Sequence, residues 1–333
     1  MKKNKFLLYL SALIILSFTL TDKVMSLDIS LGLSAGYDDN ISQKQTALSS
    51  GFISHQIKLD QPLFLSGESG DAPLSPPYIS AEGDIFIKGD YQDYLDVPDN
   101  YELQGGLSFS FPLAKGRWLS SIFSEAAIYR DSFIPEDDRD ELTAGGAVEW
   151  LTTGRFSLIV RQSWSWIDYK EPVIFYTDSH TSEDGKGMGW SHGHGGENQH
   201  YQSFSRDDRI SSSGFEGKFF LSPTIETSLS AEYNYLNSSV ETESYLQNGL
   251  YFSFLWKPHD MWEINAKSFL KNTDYDSLTL DRTDKTFFTS LGISCFINNF
   301  EIFLQIENTE NNSSFDTESY QQMVTQCGFL FSF

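Results

Sequence analysis

Basic residues are scarce: 23 Lys and Arg stand against 46 Asp and Glu, a net charge of -23. A surface that wraps nucleic-acid phosphates needs clustered Lys and Arg, so nucleic acid is excluded as a partner. Cysteine is nearly absent, at 2 in 333 residues, which rules out a disulfide-dense scaffold. Proline is low at 10, and past the N-terminal segment no apolar run approaches the roughly 20 residues of a transmembrane helix. Sustained 3.6-residue periodicity is missing as well, which removes helical architectures. With 40% hydrophobic and 21% charged residues, wholesale disorder is also excluded.

Aromatic side chains are abundant instead, 15% of the chain with Phe 27 and Tyr 16, the usage of a long sheet protein. At the start, Lys2, Lys3 and Lys5 precede an apolar run from Phe6 to Leu20, then a polar stretch and the small-residue pattern Val24-Met25-Ser26. Residues 1–26 therefore read as a cleaved secretory signal. The alternative, a membrane anchor, needs a longer span than this run provides. No Cys for lipidation follows. Cleavage after Ser26 takes away four lysines and Asp22, leaving 19 basic and 45 acidic side chains.

Beyond Ser26 the recurring pattern is dyad alternation. From Thr224 to Tyr235, Ile225, Leu229, Ala231, Tyr233 and Tyr235 alternate with Glu226, Ser228, Ser230, Glu232 and Asn234. That is a strand with one apolar and one wet face. The same code runs through Tyr101 to Phe111 and Trp262 to Leu270. Fourteen strands are expected, near 27–37, 47–59, 78–89, 101–112, 117–130, 141–151, 155–167, 209–221, 224–237, 244–256, 261–272, 285–297, 299–309 and 319–333. After the even strands come tight turns such as Ala114-Lys115-Gly116, Thr152-Thr153-Gly154, Pro258-His259-Asp260 and Asn298. The segment from Asp60 to Pro77 is the exception. After the odd strands the spacers are longer and polar, the longest near 168–208. Short turns at one rim, long loops at the other and an even strand number are the plan of a single antiparallel, up-and-down transmembrane β-barrel with short periplasmic turns and long extracellular loops.

A soluble sandwich also alternates, but its loops are of similar length at both ends. Aromatics here gather at strand ends: Phe111, Trp118, Trp150, Trp256 and Trp262 near the short turns, Tyr37, Tyr129, Trp164, Trp166, Tyr233 and Tyr235 near the long loops. Two girdles of this kind mark the interfaces of a bilayer. The chain ends Cys327-Gly328-Phe329-Leu330-Phe331-Ser332-Phe333, apolar on alternate positions with a terminal Phe. This strand resembles the last strand of Gram-negative outer-membrane β-barrel proteins. The resemblance implies an outer-membrane location, outer-membrane lipids as surroundings and recognition of the strand ending in Phe333 by the barrel-assembly machinery. The first strand, Leu33-Ser34-Ala35-Gly36-Tyr37-Asp38-Asp39-Asn40, resembles the opening strand of β-barrel porins and of the barrel in surface lipoprotein assembly modifiers. That likeness spans about eight residues and implies the barrel, not the modifiers' activity.

No catalytic set is expected. His55 lies between Ile53 and Ile57 in the second strand, His259 in a turn, and His180, His192, His194 and His200 in the longest loop, none beside a nucleophile at a recognisable spacing. His192-Gly193-His194-Gly195-Gly196 would lose considerable entropy to form a fixed metal site, and the acidic run Glu136 to Glu141 lacks ordered ligand spacing. Neither a metal nor a cofactor is expected. Cys295 and Cys327 fall two strands apart, about 10 Å, too far for a disulfide.

The alternation assigns Asp28, Lys58, Glu82, Asp84, Lys88, Glu102, Glu125, Glu149, Arg155, Arg161, Glu216, Lys218, Glu226, Glu232, Glu263, Lys267, Glu301 and Glu307 to the lumen, acids outnumbering bases twofold. Fourteen strands lie between the eight that side chains can fill and the sixteen of an open channel, so a water-filled passage is expected unless the longest loop plugs it. The reading is a porin-like channel for passive movement of small solutes, with a preference for cations. The alternative is a barrel that exports or anchors a partner polypeptide or polymer.

Overall fold

A strand with one apolar and one polar face leaves its neighbours a face to match and its edges a backbone to pair, and only a closed sheet satisfies both in lipid. The computed structural model of this chain is such a sheet. It describes residues 27–43, 47–65, 81–113, 117–170, 173–177, 200–276 and 281–333.

The strands are β1 (Asp28–Asp38), β2 (Ser50–Leu65), β3 (Ala81–Tyr94), β4 (Asn100–Leu113), β5 (Trp118–Asp131), β6 (Arg139–Thr153), β7 (Phe156–Tyr169), β8 (Val173–Thr177), β9 (His200–Phe204), β10 (Asp207–Ser222), β11 (Ile225–Ser238), β12 (Tyr245–His259), β13 (Trp262–Tyr275), β14 (Thr283–Ile297), β15 (Phe300–Ser313) and β16 (Tyr320–Ser332). Each barrel strand pairs antiparallel with the next in the chain, β7 pairs with β10, and β16 returns to β1 to close the barrel. All fourteen expected segments have a strand in this wall. The connection near 168–208 differs, because its ends pair as a separate two-stranded ribbon, β8 with β9. Residues 178–199, including His180, His192 and His194, lie outside the described residues, as do the signal segment and most of the Asp60 to Pro77 connection. β2 runs on to Leu65, past the end of β1, which pairs only as far as Asp60. There Pro62 sits on a strand with one free edge, where a missing N–H costs least.

Two-residue turns join β6 to β7, β10 to β11, β12 to β13 and β14 to β15, all at one rim. In the last, Asn298 takes a left-handed φ of 55°, the conformation a two-residue hairpin demands and Asn tolerates.

The packing is inside out. Among the described residues only Phe52, Leu63, Ile159, Ile167, Leu236 and Val240 form a buried apolar set, while Val160, Leu229, Leu250 and Ile302 on the outer face are more than half exposed. Water would penalise that wall at roughly 25 cal/mol per Å² of apolar surface, and a bilayer removes the penalty. Trp118 and Trp150 stack at 5.5 Å on the outer face near the short turns. Tyr37, Trp164, Trp166, Tyr233 and Tyr235 share the outer face near the long loops. Tyr129 does not belong to that girdle: it pairs with inward Glu102 and borders the lumen, because in β5 the inward positions are the odd ones. Cys295 and Cys327 also face outward, unpaired, with β15 between them.

The seam between β1 and β16 needs small residues. A Cβ on Gly36 would collide with the Phe52 ring and the Thr325 carbonyl, and one on Gly328 with Ser34 and the Leu33 carbonyl. Across this seam the lumen side is hydrogen-bonded: Ser30 to Ser332 at 3.0 Å, Gln326 Nε2 donating to Ser34 at 2.5 Å, and Gln322 Nε2 to Asp38 at 2.9 and 3.1 Å.

Candidate functional site

Register decides which side chains enter the barrel. In β1–β4 the even positions point in, so Lys58 stands beside Lys88, Asp90 beside Glu102, and Glu82 and Asp84 beside Ser110 and Ser108. In β5–β7 the odd positions do, placing Glu125 opposite Thr143 and Glu149 opposite Ile159. Arg161, Glu216, Lys218, Glu226, Glu232, Glu263, Lys267, Glu301 and Glu307 follow on the inner face of β7 and β10–β15. Arg155 falls outside β7, in the turn before it, beside Phe220 to Pro223 at the short rim.

The inner faces enclose a cavity of about 760 Å³, bordered by β1–β5 and β13–β16 and by no described residue of β6–β12. Of the sequence-assigned charges it collects Lys88, Glu102, Glu263, Glu301 and Glu307. Glu82, Asp84, Glu125, Glu149, Arg161, Glu216, Lys218, Glu226, Glu232 and Lys267 stand on the inner face elsewhere. Arg161 pairs with Glu216 across β7 and β10, Glu125 accepts from Gln104 at 3.2 Å, and Lys257 reaches Glu263 at 3.3 Å.

Counting charges alone missed most of the cavity wall. Asp38 and Asp90 share the parity of the assigned acids, and Gln56, Gln305, Gln322 and Gln326 share it too. The signal was present in the alternation, which marks amides as inward as firmly as carboxylates. The amides hold the acids in place: Gln56 Nε2 donates to Asp90 at 3.0 Å and Gln305 Nε2 to Glu307 at 2.6 Å, while the Ser294 hydroxyl donates to Glu301 at 2.7 Å. Lys88, the one basic residue on the cavity among those described, is tied to Asp90 at 2.6 Å. Oxygen acceptors therefore dominate this wall.

On β12–β14, beyond the cavity-lining residues toward the long loops, the inner face is aromatic. Tyr251 meets Phe269 at 5.5 Å, Phe269 stacks on Phe288 at 4.7 Å, and the Lys271 ammonium lies 4.6 Å from the Phe269 ring. Tyr245 and Tyr275 meet edge to face at 5.6 Å nearer the long loops. A cation over an aromatic face keeps some of its electrostatic stabilisation without water, so Lys271 is accommodated there.

The long-loop rim repeats a motif that the linear reading passed over. Residues 238–245, Ser-Ser-Val-Glu-Thr-Glu-Ser-Tyr, and 313–320, Ser-Ser-Phe-Asp-Thr-Glu-Ser-Tyr, fold alike around a short three-ten turn. In each, the first Ser N–H donates to the last Ser hydroxyl at 3.0 Å. Arg206 binds Asp208 at 2.7 Å and Glu243 at 3.6 Å, and Arg282 binds Asp284 at 2.6 Å and Glu318 at 3.5 Å. Burial opposes the charge on both guanidiniums, but the hydrogen bonds they donate to Asp208 and Asp284 outweigh it, so both hold their proton more tightly than free arginine. Each arginine braces one loop against the next.

His55 faces outward, its ring 6.2 Å from Tyr91, and His259 lies at the short rim. No group of His, Cys, Asp or Glu among the described residues has the geometry of a metal site.

No family model matches the sequence, and no curated protein does. Solved structures do. An anion-selective porin from Comamonas acidovorans superposes with a TM-score of 0.50 at 9% identity, over 93% of this chain and 99% of that one. A loop L8 deletion mutant of OmpT, an outer membrane protein of Vibrio cholerae, gives 0.48 at 8% identity over 93% and 100%. OccAB4 of Acinetobacter baumannii gives 0.44 at 9% over 94% and 100%. The first likeness agrees with what the register and the inside-out packing already establish: the chain has the closed, all-antiparallel fold of the outer-membrane porin barrels.

Proposed function

We propose that the mature chain, beginning after Ser26, is an outer-membrane channel for passive passage of small solutes and favours cations. The observation that carries this reading is the polar cavity inside a wall whose outer face is apolar. Six carboxylates border it, Asp38, Asp90, Glu102, Glu263, Glu301 and Glu307, against the single ammonium of Lys88. In a narrow passage with low-dielectric walls, such an excess sets up a negative potential that raises local cation concentration. The Comamonas porin is anion-selective, so the two barrels would share a fold and differ in what lines it, as superfolds do.

No catalytic role is assigned: His55 faces outward and His259 lies at the short rim. Phe329, Phe331 and Phe333 alternate on the outer side of β16, with the Phe333 N–H bound to the Ile29 carbonyl at 2.9 Å. In this proposal that strand is the one read by the assembly machinery. The test is single-channel recording of the refolded mature chain in a planar bilayer under a salt gradient. Discrete steps with a cation-sided reversal potential are expected. A silent barrel would overturn the channel and favour export or anchoring of a partner.

A further inference from the structure

The cavity's hydrogen-bonding capacity is one-sided. Gln56, Gln305 and Gln322 each spend amide N–H on a neighbouring carboxylate, of Asp90, Glu307 and Asp38 respectively. Each pairing sets a carboxamide beside a carboxylate, in a lining of six carboxylates and one ammonium. An anionic solute meets an excess of negative charge there. A solute rich in O–H and N–H finds a partner at each step along β1–β4 and β15–β16.

Aromatic faces border the same space. Tyr94 is held by an edge-to-face contact with Phe52 at 5.8 Å, and Tyr129 by its hydroxyl bond to Asp131 at 2.9 Å; both border the cavity on strands adjacent to Glu102. A fixed ring presents an apolar plane to a flat solute and an electron-rich face to a cation. The volume, about 760 Å³, lies within the range of small-ligand sites.

Resting on the channel reading, we infer that this cavity is a binding station for amino sugars, as short oligomers. Hydroxyls match the amide and carboxylate oxygens, protonated amines match Glu301 and Glu307, and the C–H faces of the rings match Tyr94, the Tyr129 ring already having the Arg139 guanidinium 4.7 Å from its centre. Each part of the wall then has a counterpart on one solute. A neutral saccharide leaves the carboxylates without a charged partner, and a linear polyamine leaves the aromatic planes bare.

The test is current block of the refolded channel by three probes at neutral pH: the tri-glucosamine oligomer, its fully N-acetylated counterpart, and spermine. Block by tri-glucosamine at concentrations at least tenfold below the other two is expected, with Glu301→Gln/Glu307→Gln weakening it at least fivefold. Equal block by the N-acetylated trimer, or by spermine, would overturn the inference, because hydroxyls or charge alone would then suffice. A channel that conducts and is blocked by none also overturns it while the channel reading stands. Absence of conductance overturns the channel reading instead, and titration calorimetry of the detergent-solubilised chain with tri-glucosamine then decides the station by itself: heat of binding sustains it, none removes it.

Discussion

The inner face beside the β1·β16 seam and the inner face of β12–β14 nearer the long loops follow the same two-residue code, yet one borders the polar cavity and the other is aromatic. Near the seam the inward positions carry Gln, Ser, Asp and Glu, with Gly32 and Gly36 in β1. On β12–β14 nearer the long loops they carry Tyr251, Phe269 and Phe288 in contact. Parity tells inside from outside. It does not tell open from filled, which depends on the summed volume of side chains from strands far apart in the chain. The cavity of this barrel accordingly lies beside the seam.

The strongest way to break the comparison is at its closure. Gly328→Val puts a branched side chain into Ser34 and the Leu33 carbonyl, which cannot move without loosening β1. Overpacking at roughly 1–3 kcal/mol or more is expected, and the heat-modifiable band on an unboiled gel should be lost. A normal band would mean that the seam yields. Next comes the aromatic stretch of β12–β14: Phe269→Ala removes the ring that bridges Tyr251 and Phe288. It should lower the unfolding free energy by about 2 kcal/mol, less than a fully buried Phe→Ala, and enlarge single-channel conductance. Unchanged conductance would show that this wall does not limit the passage.

Charge sharpens the contrast. Glu301→Gln/Glu307→Gln, on the cavity, should reduce the cation-to-anion permeability ratio roughly threefold, as expected for about 0.6 kcal/mol of local potential. Glu226→Gln/Glu232→Gln, on the inner face away from the cavity, should change it by less than half as much. Similar shifts from both pairs would put the ion path elsewhere. The smallest effect is ionic: selectivity should fall from dilute salt toward 1 M, where the Debye length drops from about 10 Å to about 3 Å.

Most of the fold was legible in the alternation. Strand number, the short and long rims and the inward face of Glu102, Glu263, Glu301 and Glu307 all follow from a period of two. Three things were not. Tyr129 was read as a girdle residue because its place near a strand end was weighed above its parity. The ribbon of β8 and β9 is too short to display alternation. The cavity's position depends on side chains that strands far apart in the chain, such as β3 and β15, bring to one space, and no local pattern encodes that. The paired loops 238–245 and 313–320 are legible as a repeated Ser-Ser-x-acid-Thr-Glu-Ser-Tyr pattern outside the strands.

Thiol accessibility tests a passage beside the seam most directly. With Cys295→Ala and Cys327→Ala removing the outward thiols, Gln305→Cys and Tyr251→Cys are each exposed to a charged, water-soluble thiol reagent during single-channel recording. The account predicts an abrupt fall in conductance for Gln305→Cys and none for Tyr251→Cys. A fall for Tyr251→Cys alone would place the passage along the aromatic stretch of β12–β14 and contradict it.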